Sequence, residues 1–223
     1  MLDSLRVVIT GVCGSLGQAT AEKARRSGAH VIGLDIVDTE SAPNTDEYRQ
    51  VDLMNRDATL ECFASLGEIN VLINIAGGFA MGDEAFDTTS GQWDSMFRIN
   101  VDTMRNATMG AVPLLKAQGG GAIVNIGALG ALSGQASMSA YCCAKSSVMK
   151  LTESLSAELR HEGINVNAVL PSIIDTPPNR RDMPDADFSQ WVTPAQLAEV
   201  ICFLASGAAG AIHGALIPVK GLV

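Results

Sequence analysis

Short apolar runs alternate with longer amphipathic stretches from one end of the chain to the other. The apolar runs lie at 5–10, 30–35, 50–53, 70–76, 122–126, 164–170 and 215–219. Between them, helical periodicity occupies 18–27, 56–66, 92–116, 139–162 and 194–205. Strands that alternate with helices predict an α/β fold, a doubly wound parallel sheet of about seven strands with helices on both faces.

Individual residues within these stretches refine the elements. Pro113 should kink or restart the helix at 92–116, and Gly163 should end the helix at 139–162. Thr193 is expected to cap the last helix. Residues 171–190, rich in Pro, Asp and Arg, predict the longest irregular segment. We interpret it as a lid or substrate loop, the alternative being a surface connection without a role.

Length and continuity favour a single domain. The chain has 223 residues, enough to bury a full core, and it contains no linker or internal repeat. Aromatic residues make up only 4% of it, so the core should be aliphatic, as in parallel sheets. We therefore expect residues 1–223 to form one domain.

A glycine-rich turn follows the first predicted strand. Gly11, Gly14 and Gly17 are spaced three apart, and a helix and a second strand come next. This is the form of a dinucleotide site of the Rossmann type, where glycines let the backbone approach a pyrophosphate and a helix N-terminus supplies free N–H groups. The turn residues are the candidate cofactor ligands: Gly11, Cys13, Gly14, Ser15, Leu16 and Gly17. An ordinary strand-to-helix turn is the alternative.

Asp35 ends the second predicted strand and bears on the choice of cofactor. A carboxylate there can bind the hydroxyls of the adenosine ribose, and it would repel a 2′-phosphate. Ile36 follows it, where an arginine would have favoured the phosphate. The pattern therefore predicts NAD (NADH), with NADP disfavoured.

Tyr141 and Lys145 lie four residues apart in the helix predicted at 139–162. This spacing places both side chains on one face of the helix. A phenol beside an ammonium group is a proton-transfer pair, because the cation stabilises the phenolate and should lower the pKa of the tyrosine. The alternative is an interior tyrosine with a satisfied hydroxyl.

Net charge and the spacing of the cysteines bear on which partners and ligands the protein can bind. The formal net charge is −9 and no Lys/Arg cluster forms a basic face, so no nucleic-acid partner is expected. The five cysteines lack CxxC spacing, so no metal site is expected. The sequence has neither a signal peptide nor an apolar run of membrane-spanning length, and we expect a cytoplasmic protein without membrane attachment.

Together these features resemble the short-chain dehydrogenase/reductase family over nearly the whole chain. The matching pieces are TGVCGSLG at 10–17, Asp35, Asp52, NIAG at 74–77, RIN at 98–100, YxxxK at 141–145, and VNAVLPS at 166–172 followed by Thr176. The glycine spacing, Ala128 and residues 175–191 are similar to the quinonoid dihydropteridine reductase branch. Asn100 and VNAV look more like ordinary alcohol and ketone enzymes of the family.

The resemblance implies hydride transfer between a nicotinamide and a small ketone or secondary alcohol. Tyr141 would act as general acid or base, Lys145 would hold the nicotinamide ribose, and Asn100 would hold a water that links Lys145 to solvent. Further cofactor contacts would come from Asp52, Leu53, Asn74, Ala76, Gly77, Pro171, Ile174 and Thr176, with Ile173 beside the ring. The implied substrate pocket contains Gly78, Phe79, Ala128, Ser133, Met183 and Trp191, the alternative for Met183 and Trp191 being a small satellite core.

Ala128 occupies the position where this family usually has a catalytic serine. Two explanations stay open. Either Ser133, Ser137 or Ser139 supplies the hydroxyl, with Ser139 favoured as a helix cap, or the substrate needs little polarisation, as a quinonoid ring would.

Three functions follow as hypotheses. The first is an NAD-dependent oxidoreductase acting on a small-molecule ketone or alcohol, and the second is a quinonoid dihydropteridine-type reductase. The third, from another class, is a dinucleotide-binding sensor without turnover. The helices at 92–116 and 139–162 resemble those that pair subunits in this family, which implies a homodimer or homotetramer.

Overall fold

Seven parallel strands form the centre of the computed structural model, which describes residues 1–223. The strands are β1 (Arg6–Thr10), β2 (His30–Asp35), β3 (Glu47–Gln50), β4 (Val71–Asn74), β5 (Gly121–Ile126), β6 (Ile164–Pro171) and β7 (Leu216–Val219). Their order across the sheet is β3-β2-β1-β4-β5-β6-β7. The predicted doubly wound sheet is confirmed. Because the order reverses between β1 and β4, a crevice opens at the carboxyl ends of these two strands.

Helices cover both faces of the sheet. They are α1 (Ser15–Arg26), α2 (Arg56–Ala64), α3 (Ser90–Phe97), α4 (Thr103–Ala117), α5 (Ser139–Leu159), α6 (Pro177–Asp182) and α7 (Pro194–Leu204). Successive residues of β1 point to opposite faces, so Ile9 packs with side chains of α1 and α7, whereas Val8 packs with those of α2, α4 and α5. None of the helices combines the length and apolar character needed to cross a membrane.

The strand expected at 50–53 is wrong in its position. β3 occupies Glu47–Gln50, where it pairs with β2 from Ile32 to Asp35. Val51 and Leu53 follow the strand as buried members of the α2-side core. Their apolar character therefore reflects packing beneath the loop and not membership of the ladder.

The helix expected at 92–116 is divided, but not at the proline. A π-helical turn at Arg98–Asp102 separates α3 from α4, and Pro113 lies inside α4 without ending it. Pro113 is on the exposed side of the helix, so water can satisfy the carbonyl group that loses its helical partner. The interruption falls instead at Asn100, where a π-turn commonly marks a functional position.

The segment 171–190 is more ordered than its composition predicts. β6 extends through Pro171, α6 occupies Pro177–Asp182, and a single 3₁₀ turn covers Phe188–Gln190. The capping predictions for Gly163 and Thr193 are confirmed. Gly163 ends the α5 region in a left-handed conformation with φ 73°, and Thr193 forms a capping box with Gln196 at the start of α7.

Candidate active site

A groove of about 630 Å³ lies over the carboxyl ends of β1, β2 and β4. Its volume is within the range of small-molecule and cofactor sites. Most of the predicted cofactor ligands line it, namely Gly11, Cys13, Gly14, Ser15, Leu16, Gly17, Asp35, Asp52, Leu53, Ala76, Gly77 and Thr176. The expectation that the glycine turn and the strand ends meet at one edge of the sheet is therefore realised.

The three glycines of the turn meet different constraints. A Cβ atom on Gly17 would lie 2.1 Å from the carbonyl oxygen of Gly11, and one on Gly11 would lie 2.8 Å from the amide nitrogen of Ala76. The fold therefore excludes a side chain at either position. A Cβ on Gly14 would meet only the Gly11 oxygen, at an ordinary 3.5 Å. Space is therefore left open at Gly14 on the groove side, which suits close approach of a pyrophosphate.

The N-terminus of α1 opens into this groove. Gly14 is the N-cap and provides no capping side chain, and the first turn has no acidic residue. The backbone N–H groups of Ser15, Leu16 and Gly17 have no acceptor within the chain. Free N–H groups at the positive end of a helix dipole fit a phosphate group, so these residues are suited to hold a dinucleotide.

Asp35 closes the groove at its ribose end. One carboxylate oxygen accepts the N–H of Cys13 at 2.9 Å and the other accepts the N–H of Ile36 at 2.8 Å. Asp52 lies on the same wall, and no Lys or Arg side chain lines the groove. The lining of the groove therefore includes two carboxylates and no basic side chain.

Thr10, the first residue of the motif at 10–17, has a structural role that the sequence did not predict. It is buried at the end of β1, and its hydroxyl accepts the N–H groups of Ile75 at 3.0 Å and Ala76 at 3.1 Å. A polar residue that ends an apolar strand was the available signal. Other groove residues that went unpredicted are Ile36, Val37, Val51, Met54, Ile75, Ile99, Thr103 and Pro178.

Lys145 lies one helical turn after Tyr141 on α5, as predicted, and it is buried. Its ammonium group donates to the carbonyl oxygen of Ile126 at 2.9 Å, and burial lowers its pKa to about 8. A Cβ atom on Gly77 would meet Lys145 Nζ at 3.5 Å and Asn100 Oδ1 at 2.8 Å. Lysine and asparagine therefore converge beside a residue that lines the groove.

Asn100 lies in the π-turn and fixes the chain just after β4. Its amide donates to the Gly78 carbonyl at 2.9 Å and accepts the Gly78 N–H at 3.2 Å. It also donates to the Met96 carbonyl at 3.1 Å. The side chain is thus largely engaged in positioning Gly78, and a water-holding role for Asn100 stays a prediction.

Tyr141 is half-buried at the start of α5, and its hydroxyl has no hydrogen-bond partner in the chain. The Phe79 ring meets its ring edge to face, with the centroids 4.9 Å apart. Burial, with a smaller contribution from Cys142, raises the pKa of Tyr141 to about 12. This direction is opposite to the one predicted from Lys145. Loss of hydration disfavours both charged side chains, and the ammonium group bonds to Ile126.

A row of buried polar side chains anchors α5 to the sheet. Asn74 donates to Asn125 Oδ1 at 2.9 Å, Asn125 donates to Thr152 on α5 at 2.9 Å, and Thr152 donates to a carbonyl of its own helix. Asn74, a predicted cofactor contact, therefore lies inside the sheet and not on the groove wall. Its Oδ1 is buried without a partner.

A second cavity, of about 260 Å³, adjoins Tyr141. It lies between the loop after β4, helix α3 and the start of α5. The residues around it are Ala80, Met81, Gly82, Asp83, Thr88, Gly91, Gln92, Ser95, Met96, Ser137, Met138, Ser139, Ala140 and Tyr141. Tyr141 thus lines this second cavity, and none of the residues around the cavity also lines the groove.

The predicted substrate-pocket residues are dispersed. Gly78 and Phe79 lie beside Asn100 and Tyr141, and Ala128 is buried in a cluster against which Tyr141 packs. Ser133 is exposed and accepts a hydrogen bond from Gln135 at 3.1 Å. Ser139 is not the predicted cap, because Met138 holds that position and Ser139 Oγ lies 3.3 Å from Thr88 Oγ1.

Met183 and Trp191 line neither of the two cavities. Trp191 is buried and its ring lies 4.9 Å from that of Phe188, an arrangement that suits the satellite-core alternative. Pro171 is buried at the end of β6, and Ile174 pairs with Val192 in an isolated bridge. For these residues a role at the site stays a prediction.

Thr176 reaches the groove because the segment after β6 is folded back on itself. Its hydroxyl caps α6 by accepting the N–H of Asn179 at 3.4 Å. Arg180 pairs with both carboxylate oxygens of Asp175, one at 2.8 Å, and its guanidinium lies 4.7 Å from the Phe188 ring centroid. These contacts hold Thr176 and Pro178 against the groove.

Comparison with known proteins places this geometry in a family. The model of the short chain dehydrogenase family matches residues 6–187. The D-xylose 1-dehydrogenase of Caulobacter vibrioides is 31% identical over 226 residues, covering 97% of this chain and 85% of that protein. The aldohexose dehydrogenase of Thermoplasma acidophilum in its ligand-free form is 27% identical, with a TM-score of 0.90, and the match covers 99% of this chain and 94% of that one.

Proteins of this fold bind either cofactor. The carveol dehydrogenase of Mycobacterium avium, 23% identical with a TM-score of 0.88 over 99% of this chain and 97% of that one, is in complex with NAD. The structure of ElxO has NADP bound, is 24% identical and superimposes with a TM-score of 0.89 over 98% of each chain. Both likenesses concern the fold alone. The matched family region includes the glycine turn, Asp35, Asn100, Tyr141 and Lys145. The chain belongs to the short-chain dehydrogenase/reductase family of oxidoreductases.

Proposed function

We propose that the protein is an NAD(H)-dependent dehydrogenase that transfers a hydride between the nicotinamide and a small ketone or secondary alcohol. One observation carries the proposal. Tyr141, whose hydroxyl has no partner, lies one helical turn before Lys145, and the buried ammonium group of Lys145 lies beside Gly77 of the groove that fits a dinucleotide. The alternative of an interior tyrosine with a satisfied hydroxyl does not account for this arrangement, since the Tyr141 hydroxyl has no partner in the chain.

Each side chain has a definite task in the reaction. The nicotinamide, when bound, supplies or accepts the hydride. Tyr141 donates its phenolic proton to the carbonyl oxygen during reduction and takes the alcohol proton during oxidation. Lys145, which bonds to Ile126 and lies near Gly77, holds positive charge close to the developing phenolate. Asn100 keeps Gly78 in place beside both residues.

NAD is proposed as the cofactor because of the charge on the groove wall. Asp35 and Asp52 line the groove and no basic side chain does. A phosphate group on the adenosine ribose would meet repulsion there, whereas free hydroxyls can donate to the carboxylate.

The relatives favour a hydroxyl-bearing substrate. The two quoted above are named for the oxidation of D-xylose and of aldohexoses. Small sugars and related polyols are therefore the first compounds to test with NAD, followed by simple ketones with NADH.

The test compares the unaltered protein with Tyr141→Phe. We expect turnover of at least one compound by the unaltered protein, and a loss of about a thousandfold in kcat for Tyr141→Phe because the proton donor is gone. NADH absorbance measures both rates, and circular dichroism checks that the variant is folded. Normal turnover by a folded Tyr141→Phe protein would contradict the proposal.

A quinonoid dihydropterin is the second candidate substrate, and Ala128 is the observation that favours it. The quinonoid imine system of such a ring needs little polarisation, and Ala128 has no hydroxyl to offer. NADH oxidation with quinonoid dihydropterin, but with no ketone or sugar, would establish this alternative. Tight NADH binding without turnover on any compound would favour the sensor hypothesis.

A further inference from the structure

We propose that Ser137 supplies the hydrogen bond to the substrate oxygen that Ala128 cannot supply. The inference rests on the proposed dehydrogenase function and names a further residue of that same site. It assigns to Ser137 a direct contact with the reacting oxygen.

Ala128, at the position of the missing serine, has apolar surroundings. Ala128 is buried, and its methyl group belongs to an apolar cluster with Ala131, Cys142 and Met149. Tyr141 packs against this cluster. Ala128 therefore provides no donor, and the serines of the segment between β5 and α5 are the candidates to replace it.

Two of the three serines in that segment already have side-chain hydrogen-bond partners. Ser133 is exposed, bonds to Gln135, and lines neither cavity. Ser139 belongs to the first turn of α5 and pairs with the hydroxyl of Thr88. Ser137 is the serine whose hydroxyl has no partner in the chain, and it lines the cavity that Tyr141 also lines.

The backbone at Ser137 is held in an unfavourable conformation. Its φ is 57°, in the left-handed region where a residue with a Cβ atom is strained by about 1–2 kcal/mol. Its carbonyl accepts the N–H of Gly82 at 2.8 Å, which fixes the peptide. Strain that the surrounding structure maintains is typical of residues positioned for function. The Ser137 hydroxyl is left without a partner in the cavity that Tyr141 also lines.

Two donors then act on one substrate oxygen. In reduction, the carbonyl carbon gains the hydride and its oxygen gains the proton of Tyr141, so that the C=O bond becomes CH–OH. Ser137 keeps its own proton and donates a hydrogen bond to the oxygen as negative charge develops. A bond that strengthens in the transition state raises kcat and leaves KM nearly unchanged.

The test uses Ser137→Gly, with Ser4→Gly as a matched control. Glycine is comfortable at positive φ, so Ser137→Gly removes the hydroxyl and relieves the strain at once. Ser4 also has positive φ, 62°, but it is exposed at the amino end of β1, on the edge of the sheet opposite the site. Ser137→Ala removes the hydroxyl and keeps the strain, which separates the two effects.

We expect kcat to fall about a hundredfold in both Ser137 variants, with KM within about threefold of the unaltered protein. Ser4→Gly should keep normal kinetics, and thermal unfolding should show that Ser137→Gly is folded. Unchanged kcat in folded Ser137→Gly would overturn this inference while leaving the proposed function intact. Absence of turnover in the unaltered protein, together with NADH binding, would overturn both.

Discussion

The groove over β1 and β2 presents backbone groups to its ligand, whereas the reactive side over β4, β5 and α5 presents side chains. On the groove side, Gly14 and the free N–H groups of the first turn of α1 form the wall. On the reactive side, Tyr141, Lys145 and Asn100 come from α5 and the π-turn.

The two sides also differ in how the protein controls their electrostatics. The groove relies on a helix dipole and two carboxylates, Asp35 and Asp52, that remain near solvent. The reactive side relies on burial, which moves the pKa of Tyr141 to about 12 and that of Lys145 to about 8. Cofactor binding in the groove should therefore respond to changes of shape and charge. The charge state of Tyr141 and Lys145 should respond to changes of pH and hydration.

The largest effect should come from the glycines, which test whether shape governs the groove. In Gly17→Ala, the new Cβ would lie 2.1 Å from the Gly11 oxygen, so the turn must shift. We expect a loss of about 3 kcal/mol in unfolding free energy and at least a hundredfold weaker NADH binding. Denaturant unfolding and NADH fluorescence titration measure the two quantities.

Gly14→Ala is the matched variant for that experiment. Its Cβ meets only an ordinary contact at 3.5 Å, so stability should stay close to that of the unaltered protein while NADH affinity falls about tenfold. Unimpaired binding by Gly14→Ala would show that the pyrophosphate does not approach this part of the turn.

The next effect concerns burial on the reactive side. The pKa of Lys145 is lowered from 10.5 to about 8, so between these values the unfolded chain holds a proton that the folded protein has lost. The free energy of unfolding should therefore rise with pH in this window, by about 2 kcal/mol between pH 8 and pH 10. Lys145→Met should lack this rise.

The measurement is the difference in unfolding free energy between the unaltered protein and Lys145→Met at pH 8, 9 and 10. Other titrating groups cancel in the difference. The range ends at pH 10 because the unfolded tyrosine begins to ionise there, which works in the opposite direction. A difference that does not change with pH would mean that Lys145 is hydrated, and the contrast between the two sides would fail.

The smallest effect concerns charge in the groove. Asp35→Asn removes the negative charge and retains an acceptor for the Cys13 N–H. We expect the ratio of NADPH to NADH affinity to rise about tenfold, since one of two repelling carboxylates is lost. Asp57→Asn changes the same charge on the exposed first turn of α2 and serves as the control. An equal change of the ratio in both variants would assign the effect to net charge alone.

The sequence predicts those parts of the molecule that depend on interactions between residues close together in the chain. The strand, glycine turn, helix and strand from β1 to β2 depend on neighbours within one βα unit, and their placement was predicted closely. The strand predicted at 50–53 was wrong in its position, because Val51 and Leu53 are apolar for their burial beneath a loop and not for strand pairing. The helix break predicted at Pro113 was wrong for a related reason. Pro113 is exposed, so water can replace the hydrogen bond that the proline removes from the helix.

The candidate site shows the same division. The spacing of Tyr141 and Lys145 placed both on one helix face, but it could not reveal that burial raises the pKa of Tyr141 and lowers that of Lys145. The positions of Trp191 and Asn74 also escaped prediction, because one packs on Phe188 and the other joins a hydrogen-bonded row that spans three elements.

The amino-acid sequence by itself determined the alternation of strands and helices, the glycine turn that ends at Asp35, and the order of the family motifs. These depend on side-chain periodicity and on the conformational freedom of glycine, which are local properties. Only the tertiary structure decided which serine beside Tyr141 is left without a partner and how solvent exclusion shifts the tyrosine and the lysine. Both outcomes depend on contacts between distant segments, such as Gly82 with Ser137 and Lys145 with Ile126, which no local pattern encodes.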